Sequence, residues 1–328
     1  SKAPDILSKA LNLEADYTMS KDKTRLSIIT ASYNLANFVE ETMQSVANQN
    51  SHFFEHIVID GGSTDGSLDI LKKHPHIKLI SEKDTGYPDA FWKGLRLARG
   101  EYVMQCAISD GYANKNWVKM CIDTLDNNKD ISLVWGFPGR LTEHSKLTAI
   151  ARPQFHYNAP PKEEKFFNYW LMSYFVYPEG NLCARKSVME KCYPTLDELN
   201  NNNMLDWLEF SFRFNRLGYI AKNIPVMANF GRTHGNQLGE QLGLDGSLKK
   251  KYQDYRRKLR KYRNNILFGL ADHKFIDSNG NILNDRIFDK KEFLKEYLSF
   301  LSVNLFKINK KYFMPSKYIN YMKRKFKI

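Results

Sequence analysis

The stretch from Val103 to Tyr112, VMQCAISDGY, decides how the chain folds. It begins as a mostly apolar run, which is typical of a buried strand, and it stops abruptly at Ser109-Asp110-Gly111. Asp110 is therefore either a turn residue or one half of a metal site whose second carboxylate is missing. The surrounding strands help to separate these two readings.

Apolar runs alternate with helical patterns on the amino-terminal side of this stretch. Runs of this kind, bounded by polar residues, predict buried parallel strands. Strands and helices that alternate at this spacing predict a doubly wound, mostly parallel sheet. The predicted strands are 25–30, 56–60, 77–80 and 102–108, and the predicted helices are 35–48, 67–73 and 89–99.

Three of the four strand ends carry hydroxyl or acidic side chains. They are Thr30–Asn34, Asp60–Asp65 and Ser109-Asp110. Any one of them alone is ordinary loop chemistry. Ligands bind at the carboxyl ends of the strands in a doubly wound sheet, so their convergence on one edge predicts a binding site there.

The chain divides into a polar lead-in at 1–24, an α/β domain at 25–240 and a basic, mostly helical extension at 241–328. The formal net charge of +13 indicates an anionic partner. Much of the excess lies in 249–263 and from Lys307 onward. Two interpretations of these segments stay open: a basic amphipathic surface that contacts an anionic membrane, or a solvated basic helix packed on the domain by its aromatic face. Further, 277–281 predicts a hairpin turn.

The length of 328 residues suits one large α/β domain with an extension. No apolar run approaches the length of a membrane-spanning helix. The four cysteines lack zinc-ligand spacing, and no signal-peptide pattern begins the chain. We expect reduced core thiols in a cytoplasmic protein, with peripheral contact at the inner membrane face as an option.

Several motifs together carry a family resemblance. LSIITASYN at 26–34, VIDGGSTDGS at 58–67, SEKDTGYPDAFWKGLRLARGEYV at 81–103 and the Ser-Asp strand end follow one another in a characteristic order. Over about residues 25–240, the chain resembles the family 2 inverting glycosyltransferases with the GT-A fold, including those of bacterial polysaccharide and capsule synthesis. The resemblance implies a Rossmann-like nucleotide-diphospho-sugar transferase, with a mostly parallel sheet flanked by helices.

The resemblance also implies a nucleotide-sugar donor, most often a UDP-sugar. Asp60 would accept a hydrogen bond from the base, since an acidic strand end suits a base N–H or a ribose hydroxyl. The implied donor-binding residues are Thr30, Ala31, Tyr33 and Asp60 for the nucleoside, Asp84, Gly86 and Asp89 for the donor pocket, and Ser109 at the strand end.

A metal ion is implied with the donor. The family's Asp-x-Asp or Asn-x-Asp motif binds Mg²⁺ or Mn²⁺, which neutralises the leaving diphosphate. Asp110 matches the last acid, but Ile108 replaces the first residue of the motif, so weak metal affinity is expected. His234 resembles the histidine that completes many such sites, and Arg232 would pair with the diphosphate. The alternative is that 231–237 is simply a polar loop.

Inversion requires a general base that takes the proton of the acceptor hydroxyl. The family places an acid at the start of a late helix. Asp206 is the first choice and Glu209, three residues on, is the second. The alternative is that both acids are charges favoured by the helix dipole.

These observations predict an inverting glycosyltransferase that moves a sugar to a hydroxyl of a glycan or lipid-linked acceptor in surface polysaccharide synthesis. One alternative is a diverged GT-A domain of a larger multifunctional enzyme. Another is a nucleic-acid-binding protein, which explains the basic segments but not the acidic strand ends, so nucleic acid is not expected as a partner. No G-x-G-x-x-G follows the first strand, which sets a dehydrogenase aside.

Overall fold

The computed structural model describes residues 24–142, 147–150, 161–202, 205–232 and 246–307. Its strands are β1 (Leu26–Ser32), β2 (Phe54–Asp60), β3 (Ile77–Ser81), β4 (Tyr102–Gln105), β5 (Gly111–Tyr112), β6 (Ile131–Leu141), β7 (Leu147–Ile150), β8 (Leu182–Arg185), β9 (Ile220–Arg232), β10 (Lys274–Ile276) and β11 (Ile282–Ile287). Its helices are α1 (Ala36–Ala47), α2 (Ser67–Leu71), α3 (Tyr87–Leu97), α4 (Trp117–Asn127), α5 (Glu163–Ser173), α6 (Lys186–Cys192), α7 (Leu196–Asn202), α8 (Asp206–Leu217), α9 (Ser247–Leu267) and α10 (Lys290–Lys307). A short 3₁₀ turn, Glu179–Asn181, precedes β8.

One sheet in the order β3-β2-β1-β4-β8-β6-β9-β5 organises the described residues, with β7 paired to β6. The first four strands run parallel to one another, as the sequence predicted. β8 runs antiparallel to both of its neighbours, β4 and β6, whereas β6 and β9 are parallel. β5 pairs antiparallel with β9. The mostly parallel sheet flanked by helices confirms the predicted GT-A fold class.

The sheet is buried on both faces, which is why its strands are continuous apolar runs. Alternate residues point to opposite faces. Ile28 and Met104 lie in one apolar core, and Ile29 and Val103 lie in the other. This two-sided burial fixes where each strand ends and so places the polar strand ends at one edge.

The structure corrects the predicted end of the fourth strand. β4 stops at Gln105, three residues before Ile108. Ile108 is 2% exposed and joins a small apolar cluster with Val39 and Met43 of α1. An acid at position 108 would lie in that apolar cluster, so the isoleucine serves packing there.

The basic extension packs into the same core as the α/β domain. Tyr255 of α9, Phe275 of β10 and Phe293 of α10 belong to the core that holds Ile28 and Met104. The Trp170 indole N–H donates to the Tyr255 hydroxyl at 3.0 Å. Within the described residues, no helix has the length and apolarity to cross a membrane.

The predicted hairpin turn is present between β10 and β11. Asp277 begins it and accepts hydrogen bonds at 2.8 Å from the backbone N–H groups of Asn279 and Asn281. The four cysteines, at positions 106, 121, 183 and 192, are all buried and unpaired.

Candidate active site

The loops that follow β1 and β2 are joined to each other. The Asn34 N–H donates to the Ser63 hydroxyl at 2.9 Å, and the Thr64 N–H donates to the Asn34 side-chain oxygen at 2.8 Å. Asn34 has a positive φ of 51°, which asparagine tolerates better than most residues. The first two polar strand ends therefore form one continuous surface, as the topology predicted.

Asp60 organises the loop after β2. Its carboxylate is fully buried and accepts hydrogen bonds from the N–H groups of Gly62 and Ser63 and from the hydroxyls of Ser63 and Ser81. All of these donors are internal, so a nucleobase N–H reaches Asp60 only if one of them is displaced. The Ser63 hydroxyl can rotate away, whereas the backbone donors are fixed.

Asp84 and Gly86 meet the same loop. A Cβ placed on Gly61 would lie 2.8 Å from an oxygen of Asp84, so a larger residue at position 61 would push the Asp84 carboxylate aside. The Asp84 carboxylate accepts a 2.9 Å hydrogen bond from the Gly86 N–H. Asp89 accepts one at 3.0 Å from the Thr85 N–H and so fixes the start of α3. The structure brings these predicted donor residues together beside the Asp60 loop.

The predicted nucleoside residues of β1 face different ways. The Thr30 side chain is buried, and its hydroxyl donates to the Cys106 carbonyl at 2.7 Å, so it joins β1 to β4. Ala31 is half-buried. Tyr33 is 61% exposed at the strand end, which leaves its ring open to a planar ligand.

Asp110 sits in a tight turn between β4 and β5. Ser109, just before it, has a φ of 84°, a left-handed conformation that is costly for serine and typical of functional turns. The Arg232 N–H donates to the Asp110 carboxylate at 3.2 Å. Two glycines lie beside this carboxylate: a Cβ on Gly180 or Gly231 would be in van der Waals contact with its oxygens, at 3.5 and 3.7 Å. Burial raises the pKa of Asp110 to about 7, since the single backbone donor and more distant arginines compensate only in part.

The Arg232 guanidinium is held by protein groups. It is 1% exposed, forms a salt bridge with Glu41 of α1 and donates to the Thr142 carbonyl at 3.0 Å. In this arrangement Arg232 joins Asp110, through its backbone, to α1. Its predicted contact with a diphosphate stays a prediction. His234 lies outside the described residues.

Three carboxyl groups gather around one cleft. Glu179 lies in the 3₁₀ turn before β8, and Asp206 begins α8. The pKa of Glu179 is raised, first by burial and then by the negative charges of Asp206 and Asp110. Glu179 is nevertheless exposed, and Asp110 and Asp206 are half-exposed, so these three acids, called the cleft from here on, lie at the surface and not in the core.

The two candidate bases have different surroundings. Asp206 accepts hydrogen bonds from the Tyr193 hydroxyl and, at 2.9 Å, from the Trp207 N–H. Burial raises the pKa of Asp206 even though these donors oppose the shift. The Glu209 carboxylate instead accepts charged hydrogen bonds from Arg213 at 2.8 Å and Lys258 at 2.6 Å.

Sequence reasoning missed Glu179 and two tyrosines of this cleft. The pKa of the Tyr87 hydroxyl is raised, first by burial and then by the negative charges of Glu179, Asp206 and Asp110. Burial and Asp206 do the same for Tyr193. Glu179 escaped notice because β8 is antiparallel to β4, so the start of β8, and not its end, lies at the binding edge. The only signal in the sequence was that Glu179 is an acidic residue shortly before the apolar run of β8.

Among the described residues, no three His, Cys, Asp or Glu side chains are grouped so as to hold a metal ion. Asp110 remains the carboxylate at the strand edge that is suited to a divalent cation, since oxygen ligands are the ones Mg²⁺ and Mn²⁺ prefer. Its carboxylate has no cationic side chain hydrogen-bonded to it in this part of the structure.

The sequence model of the family described as glycosyl transferase family 2 matches residues 27–192, just over half of the chain. This chain belongs to glycosyl transferase family 2. It is 34% identical to an Escherichia coli chondroitin synthase over 112 residues, which are 33% of this chain and 16% of that protein. It is 25% identical to an uncharacterized glycosyltransferase of Haemophilus influenzae over 65% of this chain and 66% of that one. The putative teichuronic acid biosynthesis glycosyltransferase TuaG of Bacillus subtilis is 37% identical over 26% of this chain and 36% of its own.

This family 2 member therefore spans less than two thirds of the length of these relatives. Solved structures agree on the fold. S. aureus TarS 1–349 in complex with UDP-GlcNAc superposes with a TM-score of 0.51 at 17% identity, over 65% of this chain and 60% of that one. The mannosyltransferase PcManGT from Pyrobaculum calidifontis gives 0.52 at 14% identity, over 92% of this chain and 80% of that one. The chain therefore has the GT-A fold of these structures.

Proposed function

We propose that this glycosyltransferase moves a sugar from a nucleotide-diphosphate sugar, with UDP as the preferred nucleotide, to a hydroxyl of a glycan or lipid-linked acceptor. We place the reaction in bacterial surface polysaccharide synthesis, including capsule, and assign it inversion at the anomeric carbon. The similarity to chondroitin synthase and TuaG supports the polysaccharide assignment. The TarS complex with UDP-GlcNAc supports UDP, whereas the PcManGT complex holds GDP-Man and Mn²⁺.

The observation that carries the proposal is the placement of Asp206 on the same cleft as Asp110. One acid lies at the strand edge where a donor diphosphate binds in this fold, and the other lies at the start of α8. A base on the far side of the anomeric carbon from the leaving group is what an inverting displacement requires.

In the proposed reaction, the acceptor oxygen attacks the anomeric carbon and the Asp206 carboxylate takes its proton. The bond between that carbon and the diphosphate oxygen breaks, and the nucleoside diphosphate leaves with the electron pair. The Tyr193 hydroxyl donates to Asp206 and holds the carboxylate in position. The raised pKa of Asp206 suits a base that works near neutral pH.

Asp110 would hold a Mn²⁺ or Mg²⁺ ion together with the donor diphosphate, with His234 as a second protein ligand. When bound, the ion would neutralise the negative charge of the leaving diphosphate. Ile108 cannot contribute, so we keep the prediction that metal affinity is weak without the nucleotide. Thr30, Ala31, Tyr33 and the Asp60 loop remain the proposed nucleoside site.

Membrane contact remains a prediction and is assigned to the basic segment after Lys307, which lies outside the described residues. A cytoplasmic protein held peripherally at the inner membrane face fits a lipid-linked acceptor. Sedimentation with vesicles that contain phosphatidylglycerol, compared for the full chain and a chain that ends at Lys307, tests this assignment.

Calorimetry with UDP, GDP and dTDP, with and without Mn²⁺, tests the donor site. We expect UDP to bind best, Mn²⁺ to raise its affinity about tenfold or more, and Asp110→Ala to remove the effect of Mn²⁺. Asp69→Ala, at an exposed acid of α2, is the matched control and keeps the effect. If none of the three nucleotides binds under either condition, the proposed function is wrong.

A further inference from the structure

The amino-terminal end of α9 reaches the acidic cleft. Lys251 is close enough to Asp206 for its charge to lower the pKa of that acid, against the larger effect of burial. The next residue, Tyr252, is 40% exposed. The pKa of its hydroxyl is raised, first by partial burial and then by the negative charge of Glu179. The basic extension therefore forms part of the cleft wall on the side of the candidate base.

One face of α9 continues from this wall as a row of arginines. Tyr252, Arg256, Arg260 and Arg263 follow one another at intervals of four, four and three residues, which places them on a single helix face. At 1.5 Å per residue the row extends roughly 16 Å. Within the described residues, no carboxylate forms an ion pair with any of the three arginines.

These arginines surround Tyr174 at the end of α5. The Arg256 guanidinium lies 5.8 Å from the centre of the Tyr174 ring. Burial would raise the pKa of the Tyr174 hydroxyl, but Arg263 and Arg260 outweigh it and lower that pKa. Arg263 is only 5% exposed and donates to the Leu171 carbonyl at 3.3 Å. Arg256 and Arg260, in contrast, are exposed, so the accessible positive charge of the row lies on the surface of α9 beside Tyr174.

We propose that the exposed face formed by Tyr252, Arg256 and Arg260 binds an anionic glycan chain and leads its end into the cleft beside Asp206. The proposal rests on the proposed function and names the class of its acceptor: an oligosaccharide or polyol chain that carries carboxylate or phosphate groups. Guanidinium groups pair well with both anions, and the Tyr252 ring offers a stacking surface for a sugar. The row begins at Tyr252, which feels the charge of Glu179, so a chain bound along it is placed to reach the acids.

A second row on the same helix provides a matched control. Lys250, Arg257 and Lys261 lie on a neighbouring face, about a third of a turn round, and are exposed. Arg257 pairs with Asp254 of its own helix. The double variant Arg257→Gln/Lys261→Gln removes the same charge from the same helix as Arg256→Gln/Arg260→Gln. The two variants therefore differ in position and not in net charge.

The experiment measures binding by calorimetry at about 50 mM salt, where screening is weak. The probes are an unsulfated chondroitin oligosaccharide, the same oligosaccharide with its carboxylates reduced to alcohols, and a glycerol phosphate oligomer. We expect at least one anionic probe to bind more tightly than the reduced one. Arg256→Gln/Arg260→Gln should weaken that binding about tenfold, and Arg257→Gln/Lys261→Gln should weaken it less than about threefold.

The proposal fails if neither anionic probe binds better than the reduced one, or if both double variants lose affinity equally. It also fails if Arg256→Gln/Arg260→Gln changes only the binding of phosphatidylglycerol vesicles, because the face would then contact a membrane. UDP binding, measured on the same samples, separates this proposal from the donor assignment. Loss of UDP binding in the wild type refutes the proposed function, whereas intact UDP binding with no preference for anionic probes refutes only the acceptor class.

Discussion

Asp206 and Glu209 lie one turn apart on α8, and their partners assign them different roles. Asp206 is held by a tyrosine hydroxyl and a backbone N–H, which position a carboxylate without neutralising it. Glu209 is bound by two cations, Arg213 and Lys258, and Lys258 belongs to the extension. A proton acceptor needs free lone pairs toward the substrate, so we favour Asp206 as the base and Glu209 as a structural ion-pair centre.

Asp206→Asn should lower kcat by about 10²–10⁴-fold, because the amide cannot accept the acceptor proton. The affinity for UDP should stay unchanged, since the nucleoside and diphosphate sites are not altered. Steady-state kinetics and calorimetry measure the two effects. Glu209→Gln is the control: we expect kcat within about threefold of the wild type but a lower melting temperature, because Arg213 and Lys258 lose a charged partner. The opposite pattern would make Glu209 the base.

Glu179 should make the folded protein less stable as the pH rises. Its pKa is raised in the folded state, so the folded state holds the proton more tightly than the unfolded chain. The stability that this proton provides is fully present below the pKa of Glu179 in the unfolded chain, near 4.5. It is lost as the pH rises through the raised pKa of the folded state. Glu179→Gln should therefore raise the melting temperature at pH 8, by about 1–2 °C since solvent screens the group, and change little at pH 4.

Melting curves of the wild type and Glu179→Gln across this pH range measure the effect. Asp69→Asn, at an exposed acid far from the cleft, controls for a general loss of negative charge and should show no gain that grows with pH. A constant difference between wild type and Glu179→Gln at pH 4 and pH 8 would contradict the prediction.

At the scale of elements, α3 lies unusually close to β1. A Cβ placed on Gly94 would lie 2.4 Å from a methyl carbon of Ile29, which is itself 2% exposed. This close approach sets the height of α3 above the sheet. It thereby sets the position of Asp84 and Gly86, which lie just before the helix.

Gly94→Ala should destabilise the protein by about 1–3 kcal/mol because of overpacking, even though alanine normally favours a helix by about 1 kcal/mol. Denaturant unfolding measures the change. The Ile29→Ala background provides the test of cause: there the alanine at 94 has room, so its penalty should shrink or reverse in a double-mutant cycle. An unchanged penalty in that background would show that the contact with Ile29 is not responsible.

The sequence predicted those elements whose position follows from local pattern. β1 and β2 are buried on both faces, so the polar edge could be inferred from the ends of their apolar runs. The predicted end at Asp60 is correct for β2, whereas β1 continues two residues beyond the predicted end at Thr30, to Ser32. Ile108 extended the apolar run of β4 past its true end, because a turn residue that packs under α1 looks like strand. Glu179 depends on the antiparallel pairing of β8, which is a long-range property that no local pattern contains.

At the scale of the whole molecule, the hairpin of the extension docks on the end of the helix that begins with Asp206. The Ile276 N–H donates to the Gly218 carbonyl at 3.0 Å. Gly218 ends α8 with a φ of 92°, and a Cβ there would lie 2.0 Å from the Lys274 carbonyl oxygen. The helix that carries the candidate base is thus held at its start by Tyr193 and at its end by the extension.

Gly218→Ala should therefore cost more than the backbone conformation alone. A left-handed alanine costs about 1 kcal/mol, and the collision with Lys274 should bring the loss to roughly 3 kcal/mol or detach the hairpin. Gly246→Ala separates the two causes: Gly246 has a φ of 75° with nothing within 4 Å, so about 1 kcal/mol is expected. Denaturant unfolding gives both values, and hydrogen exchange of the Ile276 amide reports detachment. Equal losses in the two variants would mean that the hairpin does not rest on the end of α8, and that the extension is not held to that helix there.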